Sequence, residues 1–378
     1  MATSSKWLAR LGLLAVITLV CLEVVSCPAS KILAQRSILY VPLDPGNLST
    51  YLTDRDPELG WPSPKAIGKG EYDAVGSRIV PAFPDTAAPT CASIYGDSFA
   101  WGEEVDAAHA WGNVLSRNLG CRVANFGVPG YGPDQAYLRF TRNTDDHSKV
   151  VILSHLSENI MRNLNRLRNL LSPTNGAALK PRFVLDASGE LKLLPIYAPK
   201  DEADVRHVLE HPEVLDNEWF APGGPAGVAA RRFPYSLSIA RGLTSYKTAD
   251  TLKGRPPHTT FYEPNHPAHG LQISLGIAKA FVREAQRREA TPLFLILPLV
   301  PDFTYERKSG AWPYAPLVDA LEREHVPYLD MGPAFESDLK GGDPCSLYVR
   351  CGGGHLNEHG SELLAGHVQA WVTAHRAQ

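Results

Sequence analysis

Two short stretches far apart in the chain carry residues able to do covalent chemistry together. Ile94-Tyr95-Gly96-Asp97-Ser98-Phe99 sets a serine directly after an apolar run, and Gly354-His355-Leu356-Asn357-Glu358-His359-Gly360 sets a histidine in a glycine-rich stretch near the C-terminus. A serine hydroxyl is a weak nucleophile until a neighbouring base takes its proton, so Ser98 with His355 points to acyl transfer through a covalent serine intermediate. His359 is the rival base, but a place inside the start of the last helix suits packing or capping better. Asp97 and Ser98 are also what a helix N-cap wants, so Ser98 gains its weight from the pairing with His355. Acyl transfer further needs hydrogen-bond donors aimed at the negative charge that grows on the carbonyl oxygen. Asn125-Phe126-Gly127-Val128-Pro129-Gly130-Tyr131-Gly132 offers glycines that let a backbone N–H come close to a ligand, and Ser157-Glu158-Asn159 offers an amide side chain. Each segment alone reads as a turn or a cap; together they outline a site.

The elements that must hold these residues are readable from the apolar pattern. Compact apolar runs at Ala92 to Tyr95, Arg122 to Phe126, Val150 to Leu153, Leu293 to Leu299 and Val326 to Leu329 are expected to be buried strands. Helices are expected over Ala110 to Leu119, Pro133 to Thr141, Leu271 to Glu289, Pro316 to His325 and Glu358 to Ala374. Strand alternating with helix means an α/β fold with a mainly parallel five-stranded sheet covered on both faces. In such a sheet, ligands bind beyond the carboxyl ends of the strands, which is where Ser98, the Gly130 segment and Asn159 fall. Residues 1–30 read as a signal or membrane anchor and 31–90 as an extended arm with a strand or two. Residues 91–378 read as the main domain. An insertion at about 173–268 opens with a hairpin, Phe183 to Asp186 and Leu191 to Leu194 about Ser188-Gly189.

Gly96-Asp97-Ser98, the Gly130 segment, Asn159 and His355, in that chain order, resemble the four blocks of the SGNH/GDSL hydrolase superfamily. The likeness runs through most of the chain after Cys91, the insertion excepted. It implies a flavodoxin-like three-layer sandwich, with Ser98 as nucleophile and His355 as base. It also implies an oxyanion hole made by the Ser98 N–H, the Gly130 N–H and the Asn159 side chain. The arm motif Asp56-Pro57-Glu58-Leu59-Gly60-Trp61 and Pro181-Arg182-Phe183-Val184-Leu185-Asp186 resemble a bacterial, membrane-tethered branch associated with envelope glycans. Two positions depart from the pattern. The superfamily usually has an Asp two or three residues before its His to orient the ring, and here Gly353 and Gly352 stand there; Asp343 and Glu358 are the nearest acids in sequence. Ile160 stands where an Asp usually follows the third-block Asn.

The 378 residues include 37 Lys plus Arg and 40 Asp plus Glu, a net charge of −3 with the signs interspersed, which is no nucleic-acid footprint. A hydrophobic share of 44% with 20% charged is ordinary for a folded chain, and 31 Gly with 31 Pro imply many loops. Lys6 and Arg10 ahead of the uncharged run Leu11 to Leu22 have the order of a secretory signal or short anchor. Val24-Val25-Ser26-Cys27 also resembles a lipobox that would place a lipid on Cys27. Either way the body is expected to be exported, to the cell envelope or periplasmic face. The remaining cysteines, Cys91, Cys121, Cys345 and Cys351, suit two disulfides, one between Cys345 and Cys351 beside the His segment and one between Cys91 and Cys121 at neighbouring strand starts. No spacing points to a metal, and the Gly130 segment lacks the order of a dinucleotide loop, so no cofactor is expected. The expected activity is a serine esterase removing acetyl or other acyl groups from a carbohydrate or small molecule. The alternatives are a glycan O-acetyltransferase using the same acyl-enzyme, and a catalytically inactive glycan-binding protein of the same fold.

Overall fold

The computed structural model describes residues 2–42, 46, 48–172 and 176–375; the opening of the insertion at 173 and arm residues 43–45 and 47 lie outside them. Seven strands are present among the described residues: β1 (Thr90–Tyr95), β2 (Arg122–Asn125), β3 (Val150–Leu156), β4 (Arg182–Leu185), β5 (Leu191–Leu194), β6 (Thr291–Leu297) and β7 (Tyr328–Asp330). Five of them form one parallel sheet in the order β2-β1-β3-β6-β7, and β4 with β5 makes the expected antiparallel hairpin.

The period-2 alternation of each central strand explains why the sheet is covered on both sides. Ala92, Ile94, Val150, Ile152, Leu293 and Leu295 point to one face. There they pack with Trp111, Val114 and Leu115 of the helix Trp111–Leu119 and with Leu364, Ala365, Val368 and Val372 of the helix Glu358–His375. Tyr95, Val151, Leu153, Phe294 and Ile296 point to the other. Their partners are the apolar stripes of the helices Pro133–Arg142, Gly270–Arg287 and Ala315–Arg323. At roughly 1.5–3 kcal/mol for each fully buried large apolar side chain, these two layers dominate the stability of the domain. The chain leaves β1 toward β2 through a helix on one face and returns to β3 through a helix on the other. A topological switch point therefore lies beside the carboxyl end of β1.

The periphery departs from the sequence expectation. The arm was expected to contribute a strand or two. Among its described residues it instead holds the helix Leu48–Asp54, a 3₁₀ turn at Pro64–Ala66 and isolated backbone bridges Asp56–Gly60, Tyr72–Arg78 and Arg78–Asn125. Its Pro, Gly and Asp content breaks any ladder before it lengthens. The insertion adds the helices Glu202–Glu210, Tyr235–Leu243 and Tyr246–Leu252, and Val205, Val208 and Leu209 join Leu48, Leu167 and Leu179 in a small satellite core that ties arm to insertion.

Cys91–Cys121 and Cys345–Cys351 are both bonded, with Cα atoms 6.0 Å and 4.8 Å apart. The first bridge links the starts of β1 and β2 across 30 residues, a constraint of about 3–4 kcal/mol on the unfolded chain. The N-terminal helix Ala2–Gln35 contains a 26-residue stretch, Arg10–Gln35, about 39 Å long at 1.5 Å per residue, with an 18-residue window of mean hydropathy 2.2. It is long and apolar enough to cross a bilayer core of roughly 30 Å. Glu23, the one acid in this stretch, accepts hydrogen bonds from the backbone N–H of Tyr235 (2.6 Å) and Ser236 (3.2 Å), capping the helix Tyr235–Leu243. An apolar N-terminal helix and two disulfides fit an exported protein.

Candidate active site

Ser98 opens a single helical turn, Ser98–Trp101, immediately past β1. Asp97 fixes that turn. Its Oδ1 accepts from the N–H of Phe99 (2.9 Å) and Ala100 (3.3 Å), and its Oδ2 accepts from Asn159 Nδ2 (2.9 Å) and Arg162 Nη1 (3.2 Å). One carboxylate thus joins the loop after β1 to the loop after β3. Ser98 is 6% exposed, its Oγ and N–H have no hydrogen-bond partner among the described residues, and it lies in the wall of a cavity of about 790 Å³. Gly130, Glu158, Arg162, Arg168 and His355 line the same cavity.

Gly130 is held there by the arm. Trp61 donates from Nε1 to the Pro129 carbonyl at 2.8 Å, and the Tyr131 hydroxyl donates to the Trp61 carbonyl. Asp56 accepts from both terminal nitrogens of Arg142 at 2.9 and 2.5 Å, while Gln135 donates to the Leu59 carbonyl at 2.7 Å. Gly130 has φ +85°, a left-handed conformation that favours glycine, and a Cβ there would meet the Trp61 ring at an ordinary contact distance of 3.5 Å, so the backbone and not the clamp selects glycine. Its N–H has no partner among the described residues, whereas the Gly127 N–H is already given to Asn125 Oδ1 at 3.0 Å. Asn159 is 1% exposed and spends one Nδ2 hydrogen on Asp97, leaving the other available.

Ile160, in place of the usual acid, is fully buried in the main core. The loop takes its support from Lys180 instead. The buried Lys180 ammonium reaches Asp134 (2.5 Å) and the carbonyls of Arg162 (2.9 Å), Asn165 (3.1 Å) and Pro181 (2.9 Å). Burial pushes the Asp134 carboxyl up and the Lys180 ammonium down, each opposed by the other's charge.

His355 projects from a tight loop closed by the Tyr348–Leu356 bridge, by the His355 carbonyl accepting from the Val349 N–H (2.9 Å) and by the Cys345–Cys351 bond. Its ring lies against Phe99, centroids 4.8 Å apart. The carboxylate that holds it is Glu104. Oε2 accepts from the His355 backbone N–H at 2.8 Å and sits 2.7 Å from Nδ1, while Oε1 pairs with Arg350 at 2.5 Å. Burial would raise the Glu104 carboxyl, but these hydrogen bonds and the His355 and Arg350 charges hold it below the usual carboxylate range. Glu104 adopts φ +70°, a left-handed conformation rare for a non-glycine residue, which aims its side chain at the His loop. With Nδ1 facing Glu104, the proton sits on Nδ1 in the neutral ring and Nε2 is the acceptor. Nε2 stands 3.4 Å from Glu103 Oε2, and no hydrogen bond joins it to Ser98 Oγ.

The acids nearest in sequence are engaged elsewhere. Asp343 accepts from the Cys345 N–H at 2.9 Å, and Glu358 lies on the surface 3.6 Å from His109. His359 is exposed at the helix start. Glu104 escaped the sequence reading because it lies 251 positions before His355; its signal was the pair Glu103-Glu104 directly after the Ser98 turn. Arg162 was missed as well. Its guanidinium is shared among Asp97, the Tyr131 carbonyl (2.9 Å) and Glu158, joining three of the four motif segments. Among the described residues, no group of three or more His, Cys, Asp or Glu side chains is arranged to hold a metal.

No family model matches the chain, and no curated protein matches it. Among solved structures it is similar to a lipolytic protein of the G-D-S-L family from Desulfitobacterium hafniense at 12% identity, covering 74% of this chain and 97% of that one, with a TM-score of 0.35. It is also similar to LAE5, an alpha/beta hydrolase from the metagenome of Lake Arreo, at 12% identity, 76% and 96% coverage and a TM-score of 0.38. A third is the SGNH-hydrolase family esterase AlinE4, at 14% identity, 77% and 98% coverage and a TM-score of 0.31. What the site does is carried by this chain's own residues, not by these likenesses.

Proposed function

We propose that the protein is an exported serine ester hydrolase that works through an acyl-enzyme on Ser98, with His355 as base and Glu104 as the carboxylate that orients it. The observation that carries this reading is the joint lining of one cavity by Ser98, with a hydroxyl and N–H free for a ligand, and by His355, whose Nδ1 is engaged by a carboxylate. On substrate binding the imidazole turns its Nε2 from Glu103 to the Ser98 hydroxyl. Ser98 Oγ then bonds to the ester carbonyl carbon as its proton passes to Nε2. The resulting oxyanion takes hydrogen bonds from the Ser98 N–H, the Gly130 N–H and Asn159 Nδ2. Collapse breaks the bond to the alkoxy oxygen, which leaves as the alcohol with the proton from Nε2. Water adds to the acyl-Ser98 carbonyl, giving its proton to Nε2, and the acid departs as Ser98 recovers its hydrogen.

We assign the substrates to acylated carbohydrates or small acyl esters met in the cell envelope. The mixed polar and apolar walls and about 790 Å³ of the cavity suit a sugar ring, and a sugar hydroxyl in place of water would turn the same acyl-enzyme to transfer. The test is fluorophosphonate labelling with turnover of 4-nitrophenyl acetate. Wild type should take one adduct on Ser98, and Ser98→Ala and His355→Ala should each lose nearly all turnover with little change in Tm. An unlabelled, folded wild type without turnover would point instead to a glycan-binding protein.

A further inference from the structure

Among the described residues, the deeply buried arginines give at least one terminal nitrogen to a named acceptor, with one exception, although Nε of Arg78, Arg122 and Arg166 is unpaired too. Arg78 donates to the carbonyls of Trp101 (2.7 Å), Gly102 (2.7 Å) and Val105 (3.0 Å), and Arg182 donates to those of Leu164 (2.8 Å) and Asn217 (2.5 Å). Arg162 is shared among Asp97, Tyr131 and Glu158. Arg168 is the exception. It is 8% exposed, its Nε and Nη1 are buried with no hydrogen-bond partner, and no carboxylate among the described residues forms an ion pair with it. It lines the cavity that Ser98 and His355 line. Its backbone is pinned by a hydrogen bond from its N–H to the Ala178 carbonyl at 2.9 Å, so the side chain is delivered to the cavity by a fixed turn.

Withdrawing a cation from water without hydrogen bonds is costly, and a side chain placed so is expected to meet its partner in a ligand. The neighbouring charges say which partner. Glu158 and Asp97 attract Arg168 across space, but both are hydrogen-bonded to Arg162, and Glu103 lies on the His355 side of the cavity. Burial first and the Arg162 charge second pull Arg168 down to about 9, which still leaves it a cation at neutral pH. Its planar fork matches two oxygens of a carboxylate or phosphate. We propose that Arg168 is the anion-recognising residue of this cavity and that the physiological substrate is an ester carrying a carboxylate or phosphate group. This rests on the serine hydrolase reading and narrows its substrate class.

Matched esters that differ only in charge test it: mono-4-nitrophenyl glutarate against methyl 4-nitrophenyl glutarate, and 4-acetoxybenzoate against its methyl ester. Wild type should favour the anionic member of at least one pair by roughly 10- to 100-fold in kcat/KM, the range of one charge-assisted hydrogen bond. Arg168→Gln should bring that ratio to about one through KM, with Arg168→Lys in between. Absence of any anionic preference, or a preference that survives Arg168→Gln, would overturn the proposal. A second arm is independent of turnover. 4-Acetoxybenzoate or inorganic phosphate should bind folded Ser98→Ala protein in calorimetric titration and lose most of that affinity in Ser98→Ala/Arg168→Gln. Equal binding, or none in either, counts against it. If wild type hydrolyses neither member of either pair, the hydrolase reading fails and this titration alone decides on Arg168. Arg168→Gln should melt no lower than wild type, since it removes an unpaired buried charge; should it fail to fold, Arg168→Lys carries the test.

Discussion

Replacing Glu104 by Gln removes one charge and little volume, and its consequence can be worked from two oxygen atoms. Oε2 serves both the His355 backbone N–H and Nδ1, and Oε1 serves Arg350. A glutamine amide has one acceptor for these two places. With its oxygen toward His355, the NH₂ meets the Arg350 guanidinium, donor against donor; Arg350 is 68% exposed and can swing into water at little cost. With its NH₂ toward His355, the ring is driven to the tautomer that protonates Nε2, which cannot take a proton from Ser98. The first arrangement is therefore favoured, and what it loses is the charge assistance to the imidazolium formed during reaction. Hydrogen bonds to charged groups contribute about 1.5–3 kcal/mol, so kcat should fall roughly 10- to 100-fold with KM little changed. Glu104→Ala, which also frees the ring to turn, should fall further, toward the 10⁴-fold loss known for removal of a triad acid. Initial rates on 4-nitrophenyl acetate provide the assay. A folded Glu104→Gln enzyme with unaltered kcat would refute Glu104 as the orienting acid.

Two further outcomes follow from the same geometry. Asn159→Ala should lower kcat by roughly 10²- to 10³-fold if its second Nδ2 hydrogen meets the oxyanion, while Asp97 keeps Arg162 and the fold holds; an unchanged kcat in steady-state assays would leave Asn159 only a tie to Asp97. Asp330, at the end of β7, is pushed up to about 6 by burial, against the hydrogen bonds it accepts from Gly332 and Tyr314. The native state thus holds a proton that the unfolded chain releases near pH 3.9, so this group's contribution to stability falls as pH rises between about 4 and 6, by roughly 2–3 kcal/mol. Asp330→Asn keeps the cap and should flatten that slope. Urea melts of the two proteins that stay parallel from pH 4 to 7 would remove Asp330 as its source.

The central sheet was legible because its strands are buried on both faces and so read as continuous apolar runs, and because the covering helices Trp111–Leu119 and Gly270–Arg287 keep a one-sided stripe. The helix Val300–Ser309 was not legible, since only Phe303 of its apolar residues is fully buried and proline and charge fill the rest. The arm was misread for the converse reason. Its local composition says loop, while its role is tertiary: Trp61, Asp56 and Leu59 clamp the Gly130 loop from outside. Ser98, Gly130, Asn159 and His355 announced themselves through local spacing. Glu104 and Arg168 could not, because an acid is recognised by the ring it touches across the fold and a cation by the partner it lacks.

In the proposed mechanism, the place of the orienting acid changes what must be held still. An acid two or three residues before the histidine would travel with it, and the His loop could shift against the nucleophile without losing its tautomer. Here the acid belongs to the segment that carries Ser98, six positions on, so the imidazole is oriented only while the 348–356 loop is docked on that segment. That loop runs through Gly352, Gly353 and Gly354, three residues with the largest conformational freedom to lose. The Cys345–Cys351 bond and the Val349–His355 hydrogen bond limit that freedom from both flanks. In the proposed mechanism the second disulfide thereby serves the placing of His355 more than global stability, since closing only six residues constrains the unfolded chain by about 2 kcal/mol, less than the first bridge does.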